Sequence, residues 1–146
     1  MRNIEVIDNF LEENIFNEVY NKIHDGSFPW FKNKDSYTVD KKDLKNNFKN
    51  MIEYMQFVHI FFTYNKLENA YVRSNHFDII EGICNKLAKK FPKEEVLLHR
   101  AKVNLQPQNL KFNENNHNSP HIDLKNEKHQ VLLLYINDSD GDTFFF

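Results

Sequence analysis

The chain has 146 residues, 40% apolar and 14% aromatic with 14 phenylalanines among them, and 27% charged. That composition excludes a disordered polymer and allows one domain with an aromatic-rich core and a charged surface. A formal net charge of -2 argues against nucleic acid and anionic membrane surfaces as partners.

In chain order, Ile4-Glu5-Val6-Ile7 reads as a short strand. Asp8 or Asn9 is placed to cap a helix whose apolar positions Leu11, Ile15, Val19, Tyr20 and Ile23 recur at three and four residues, ending near Gly26. Phe28-Pro29-Trp30-Phe31 leads into a strand. Lys32 to Asn50, rich in Lys, Asn and Asp, has little periodicity and reads as loop or edge. Phe57-Val58-His59-Ile60-Phe61-Phe62 is an apolar run whose β-branched and aromatic content predicts a buried strand. Phe77 to Phe91 returns to helical spacing and closes at Pro92. Leu97 to Leu105 predicts a strand carrying Arg100 and Asn104, and Gln106 to Asn118 is a polar segment expected to be mobile. Val131 to Asn137 predicts another strand, followed by a turn over Asp138 to Asp142.

No run approaches the ~20 apolar residues that span a bilayer. The opening Met1-Arg2-Asn3-Ile4-Glu5 lacks the apolar stretch of a secretory signal. The single Cys84 cannot form an internal disulfide and lies beside the apolar stripe Ile79, Ile80, Ile83 and Leu87, so a buried structural thiol is expected. A cytoplasmic setting follows from these features. Only three glycines are present, and no phosphate-cradling glycine loop can be found among them.

The chemistry concentrates in Ser119-Pro120-His121-Ile122-Asp123-Leu124. Side chains two apart on an extended segment share a face, so His121 and Asp123 can share one metal ion. An imidazole and a carboxylate are two of the three ligands of a 2-His-1-carboxylate triad, a set that suits Fe(II). Each residue also has a structural reading. His121 can be an exposed loop histidine, and Asp123 can end a strand by bonding its own backbone. His59, inside an apolar strand, is expected to be a satisfied interior histidine, and His117 and His129 to be solvated. Asp138 to Asp142 lacks the ligand spacing of a calcium loop.

Taken together, the aromatic Pro-Trp, the Phe-Val-His strand, the following helix, Arg100 to Leu105, His121-Ile122-Asp123, Val131 to Asn137 and Gly141-Asp142-Thr143-Phe144 resemble the 2-oxoglutarate- and Fe(II)-dependent oxygenases. The prolyl 4-hydroxylase-like branch is the nearest in pattern. The resemblance implies an α+β fold, with N-terminal helices on a partial double-stranded β-helix or jelly-roll sandwich and residues 1–146 as a single domain. It implies Fe(II) on His121 and Asp123, and 2-oxoglutarate held in part by Tyr135. Ascorbate is a possible further cofactor. Arg100 and Asn104 either line the pocket or belong to a surface strand, and Tyr135 is either a cofactor contact or core.

The family's second iron-binding histidine and its 2-oxoglutarate-binding basic residue, usually arginine, have no matching position. The expectation is therefore the N-terminal portion of a dioxygenase acting on a peptide or small molecule. The contrasting expectation is a non-catalytic fragment that interacts through an open sheet edge, as a homo-oligomer or with a partner chain completing the barrel. Leu132, Leu134 and Phe144 to Phe146 would then lie at or near the contact.

Overall fold

The computed structural model describes residues 4–33, 55–91, 97–108 and 129–139, together with 110, 113, 115, 117, 118 and 143. Among them are two helices and a four-stranded antiparallel sheet, an α+β arrangement. The order is α1 (Glu13–His24), β1 (Phe31–Lys32), β2 (Phe57–Asn65), β3 (Ala70–Arg73), α2 (Asp78–Lys90) and β4 (Arg100–Leu105). The sheet runs β1-β2-β3, and β4 also pairs with β2. Two compact units emerge: Met1–Pro29 with His59–Val103, and Trp30–Val58 with Asn104–Phe146.

Among the described residues, most of the buried side chains belong to the first unit. Ile4 to Ile7, predicted as a strand, is instead irregular and exposed, with Val6 at 83%. No described strand pairs with it, and an unpaired extended segment has no ladder to hold it. The helix starts later than the Asp8 or Asn9 cap predicts. Asp8 and Asn9 form a turn in which Asn9 takes φ 53, and the cap falls on Glu12, whose side chain makes no capping bond.

Leu11 and Phe16 then occupy the staple positions flanking the helix start, and Leu11 is buried. Val19 and Ile23 form the buried stripe of α1, and Ile79, Ile80 and Ile83 that of α2. The helix ends near Gly26 as predicted, but not through a left-handed glycine, since Gly26 has no positive φ. Asp25 turns extended instead. Its carboxylate accepts the Ser27 backbone N–H at 2.8 Å and the Ser27 hydroxyl, which holds the carboxyl below its usual range.

β2 covers the predicted run and extends it to Asn65. It is half-buried rather than buried on both faces: His59 and Phe61 are buried while Ile60, between them, is 48% exposed. That alternation is what an antiparallel sheet with one covered face produces. β3 was not anticipated. It returns from β2 in a hairpin with Phe62 opposite Arg73 and Asn65 opposite Ala70. The intervening turn is held by Asn65, whose side-chain oxygen accepts the Leu67 N–H at 3.1 Å, and by Asn69 at φ 47. Asparagine adopts this left-handed conformation more readily than most residues.

The helix over Phe77 to Phe91 is present as α2, and the strand over Leu97 to Leu105 as β4, begun at Arg100. In the second unit β1 pairs antiparallel with the start of β2, Phe31 opposite Val58. The Asn33 backbone N–H donates to the Gln56 carbonyl at 2.8 Å, and the Asn33 amide to the Gln56 side-chain oxygen at 3.0 Å. Among the described residues no helix is long and apolar enough to cross a membrane. Residues 34–50, most of the segment read as loop or edge, and Pro92, read as a helix stop, lie outside the described residues, as do Phe144 to Phe146.

Substitutions at two positions test this architecture. Phe61, 1% exposed, is expected to lose about 3–5 kcal/mol of unfolding free energy on change to alanine. Asn69→Val should cost about 1–2 kcal/mol through its left-handed backbone, whereas Asn69→Gly should be tolerated. Urea midpoints measured on the three variants and the parent check both.

Candidate functional site

His121 and Asp123 lie outside the described residues. The segment expected to follow them as a strand, Val131 to Asn137, is irregular in the structure, with Val131 54%, Leu132 42% and Leu133 54% exposed. Its sequence has strand propensity, but propensity becomes a strand only through pairing, and no ladder engages it among the described residues. Tyr135 is not core: it is 60% exposed, and its hydroxyl is hydrogen-bonded to the Thr143 hydroxyl. That bond joins the tyrosine of the Tyr-Ile-Asn segment to the threonine of the Asp-Thr segment, eight residues apart in sequence.

Arg100 and Asn104 are both on β4 and exposed, alternating with half-buried Ala101 and Val103. The period-two rule puts them on one face of that strand. His129 is exposed, as expected of a solvated residue. His117 differs from that expectation, being half-buried with its Nδ1 bonded to the Asn118 carbonyl at 2.8 Å. Among the described residues no three His, Cys, Asp or Glu side chains come together to hold a metal. The predicted turn over Asp138 to Asp142 is described only at its start, where the Asn137 amide donates to the Asp138 carbonyl at 2.9 Å.

The most fully described polar constellation lies in the first unit and centres on His59, which is 4% exposed. It is satisfied, as the apolar strand led one to expect. Nδ1 is 2.9 Å from the Pro29 carbonyl oxygen and Nε2 is 2.9 Å from the Ser74 hydroxyl. A carbonyl can only accept, so Nδ1 carries the proton; in the neutral ring Nε2 is then the acceptor and Ser74 donates to it. Three rings fix the imidazole: Phe28 at 4.8 Å, Phe61 at 4.9 Å, and His76 at 5.4 Å and nearly perpendicular.

Ser74 is fixed just as firmly. Its N–H donates to the Phe61 carbonyl at 2.9 Å, its carbonyl accepts the Phe77 N–H at 3.1 Å, and its hydroxyl oxygen accepts the His76 N–H at 3.1 Å. Ser74 and His76 escaped the sequence reading because the hairpin that delivers them did. The pair of asparagines bracketing Lys66-Leu67-Glu68 was the signal for that turn.

Around this centre the side chains of α2 are charged at the surface. The Arg73 guanidinium lies 4.2 Å from the Phe77 ring centroid and 3.5 Å from the Glu81 carboxylate. Cys84 is half-buried rather than fully buried. Burial, and secondarily the Glu81 charge, pushes its thiol above the ordinary range.

No family model, no curated protein and no solved structure matches the chain.

A raised thiol pKa leaves less thiolate at a given pH, and thiolate is the reactive form. At pH 8 Cys84 in the native chain should therefore be alkylated by iodoacetamide several-fold more slowly than in urea. Glu81→Gln should narrow the gap by removing the secondary cause. Mass-resolved alkylation rates check both; equal rates in native and unfolded protein would contradict the burial argument.

Proposed function

We propose that the chain is a 2-oxoglutarate- and Fe(II)-dependent dioxygenase-type protein of the prolyl 4-hydroxylase-like kind, with His121 and Asp123 as iron ligands. The observation that carries the reading is the ordered run His121-Ile122-Asp123, Tyr135-Ile136-Asn137 and Gly141-Asp142-Thr143-Phe144. An antiparallel sheet accompanied by helices is compatible with part of a double-stranded β-helix or jelly roll. The hydroxyl bond between Tyr135 and Thr143 adds that two parts of this run meet.

The donor chemistry fits the cofactors. An imidazole and a carboxylate two residues apart suit Fe(II), and an exposed tyrosine hydroxyl can turn from Thr143 to donate to the distal carboxylate of 2-oxoglutarate. Bound together with dioxygen, these cofactors supply the oxidising capacity that hydroxylates a peptide or small-molecule substrate, with 2-oxoglutarate leaving as succinate and carbon dioxide. Ascorbate would serve to keep the iron reduced. The third ligand and the basic residue for 2-oxoglutarate are assigned to further strands of the barrel. Arg100 and Asn104 are assigned to the pocket wall. A reducing, cytosolic compartment suits both Fe(II) and the single thiol.

A second reading is favoured by one observation, the exposed apolar run Val131, Leu132 and Leu133. It is a non-catalytic oxygenase-like subunit that offers this run to another chain.

Anaerobic calorimetry with Fe(II), or with Mn(II) in its place, tests the metal. Weak binding is expected in the parent, because two protein ligands leave most coordination positions to water. His121→Ala and Asp123→Ala should abolish it. Equal binding by parent and His121→Ala would remove His121 from the site. In the metal-loaded chain Tyr135→Phe should weaken 2-oxoglutarate binding about tenfold, the value of one hydrogen bond to a charged acceptor. Metal binding that is absent from the parent favours the interaction subunit.

A further inference from the structure

We propose that Ser74 is an activated nucleophile, with His59 as its general base and the Pro29 carbonyl as the group that orients the base, so that the first unit carries a site for acyl transfer from esters. The arrangement has the three parts such a site requires: a hydroxyl, a base within hydrogen-bond reach, and a third group on the far side of the base. Ser74 Oγ is 2.9 Å from His59 Nε2, and His59 Nδ1 is 2.9 Å from the Pro29 oxygen.

The direction of these bonds decides the roles. Because the Pro29 carbonyl cannot donate, it holds the proton of neutral His59 on Nδ1 and leaves the Nε2 lone pair facing Ser74. The hydroxyl proton therefore already points at its acceptor. A structural serine at the end of a strand needs only some partner; here the ring is held in one tautomer and, by Phe28, Phe61 and His76, in one orientation.

The His76 backbone N–H, 3.1 Å from Ser74 Oγ, holds the hydroxyl oxygen in place beside the base. Access differs along the relay in the sense a nucleophile needs, since His59 is 4% exposed while Ser74 is half-buried.

The step balances without a cofactor. The Oγ–H bond breaks as its proton passes to Nε2, and Oγ forms a bond to the acyl carbon of the ester. The bond from that carbon to the leaving alcohol then breaks, and the alcohol takes the proton from Nε2. Water repeats the sequence on the acyl-serine, releasing the carboxylic acid and restoring the hydroxyl.

A fluorophosphonate reporter, followed by intact mass and peptide mapping of the full chain, tests the proposal. One adduct is expected on Ser74, none in Ser74→Ala, and none on Ser27, whose hydroxyl is bonded to the Asp25 carboxylate instead of an imidazole. His59→Gln, shown by circular dichroism to keep the parent's secondary structure, should label about a hundredfold more slowly, the lower end of what a general base contributes. Should His59→Gln fail to fold, Ser74→Cys keeps His59 in place and decides the matter. Iodoacetamide should then modify position 74 faster than Cys84 in the same molecule. An unlabelled Ser74 in the folded parent, equal labelling with and without His59, or position 74 reacting no faster than Cys84 would overturn the proposal and leave Ser74 as a turn-capping hydroxyl.

Discussion

The bond pair through the His59 ring is the constraint on which the ordering of the first unit turns. It ties three chain positions far apart in sequence: Pro29 after α1, His59 near the start of β2, and Ser74 between β3 and α2. A buried imidazole is costly unless both nitrogens are engaged. Meeting that condition fixes where the segment after α1 passes β2 and where the hairpin must end. Ser74 adds a main-chain bond to Phe61 and accepts one from Phe77, so the same residue closes β3 and starts the turn into α2.

Around that polar centre the stabilisation is hydrophobic. Phe28 and Phe61 flank the ring, and Val19, Ile23, Ile79, Ile80 and Ile83 bring the buried faces of α1 and α2 to the same unit. Each fully buried aliphatic or aromatic side chain contributes about 1.5–3 kcal/mol. The ion pairs that decorate this unit, Lys90 with Glu5 at 2.8 Å and Lys22 with Glu18 at 2.9 Å, join exposed side chains. Such pairs contribute about 0–1 kcal/mol and weaken with salt, so they do not hold the unit together.

The two helices were legible from their apolar period and the central strand from its composition. Ile15, Val19 and Ile23 repeat every fourth residue, and Phe57 to Phe62 is too β-branched and aromatic for a short helix. What stayed hidden depends on partners that no local pattern encodes. Ala70-Tyr71-Val72-Arg73 is four residues long with every one exposed, so it lacks the buried alternation that betrays a strand. Conversely Ile4 to Ile7 and Val131 to Asn137 have strand composition, yet neither is in a ladder among the described residues. The His59 environment was legible as far as the residue itself; its partners were not, since Ser74 is reached only through the unforeseen hairpin. Of the oxygenase-like residues, Tyr135, Arg100 and Asn104 can be placed in the structure, and all three are exposed.

Imidazole chemistry separates the two candidate sites. A histidine that binds metal needs one nitrogen directed at the ion and the other donated to a fixed acceptor. His59 has the fixed acceptor in the Pro29 carbonyl, but its Nε2 already receives the Ser74 hydroxyl. Metal on that nitrogen would break the serine bond, and it would have to enter a space bounded by Phe28, Phe61 and His76. Hard, oxygen-preferring or borderline ions such as Fe(II) gain from a carboxylate beside the imidazole, the pairing proposed for His121 and Asp123. The base role proposed for His59 and the ligand role proposed for His121 therefore draw on opposite requirements: a lone pair kept for a proton in one case, and a lone pair kept for an ion in the other.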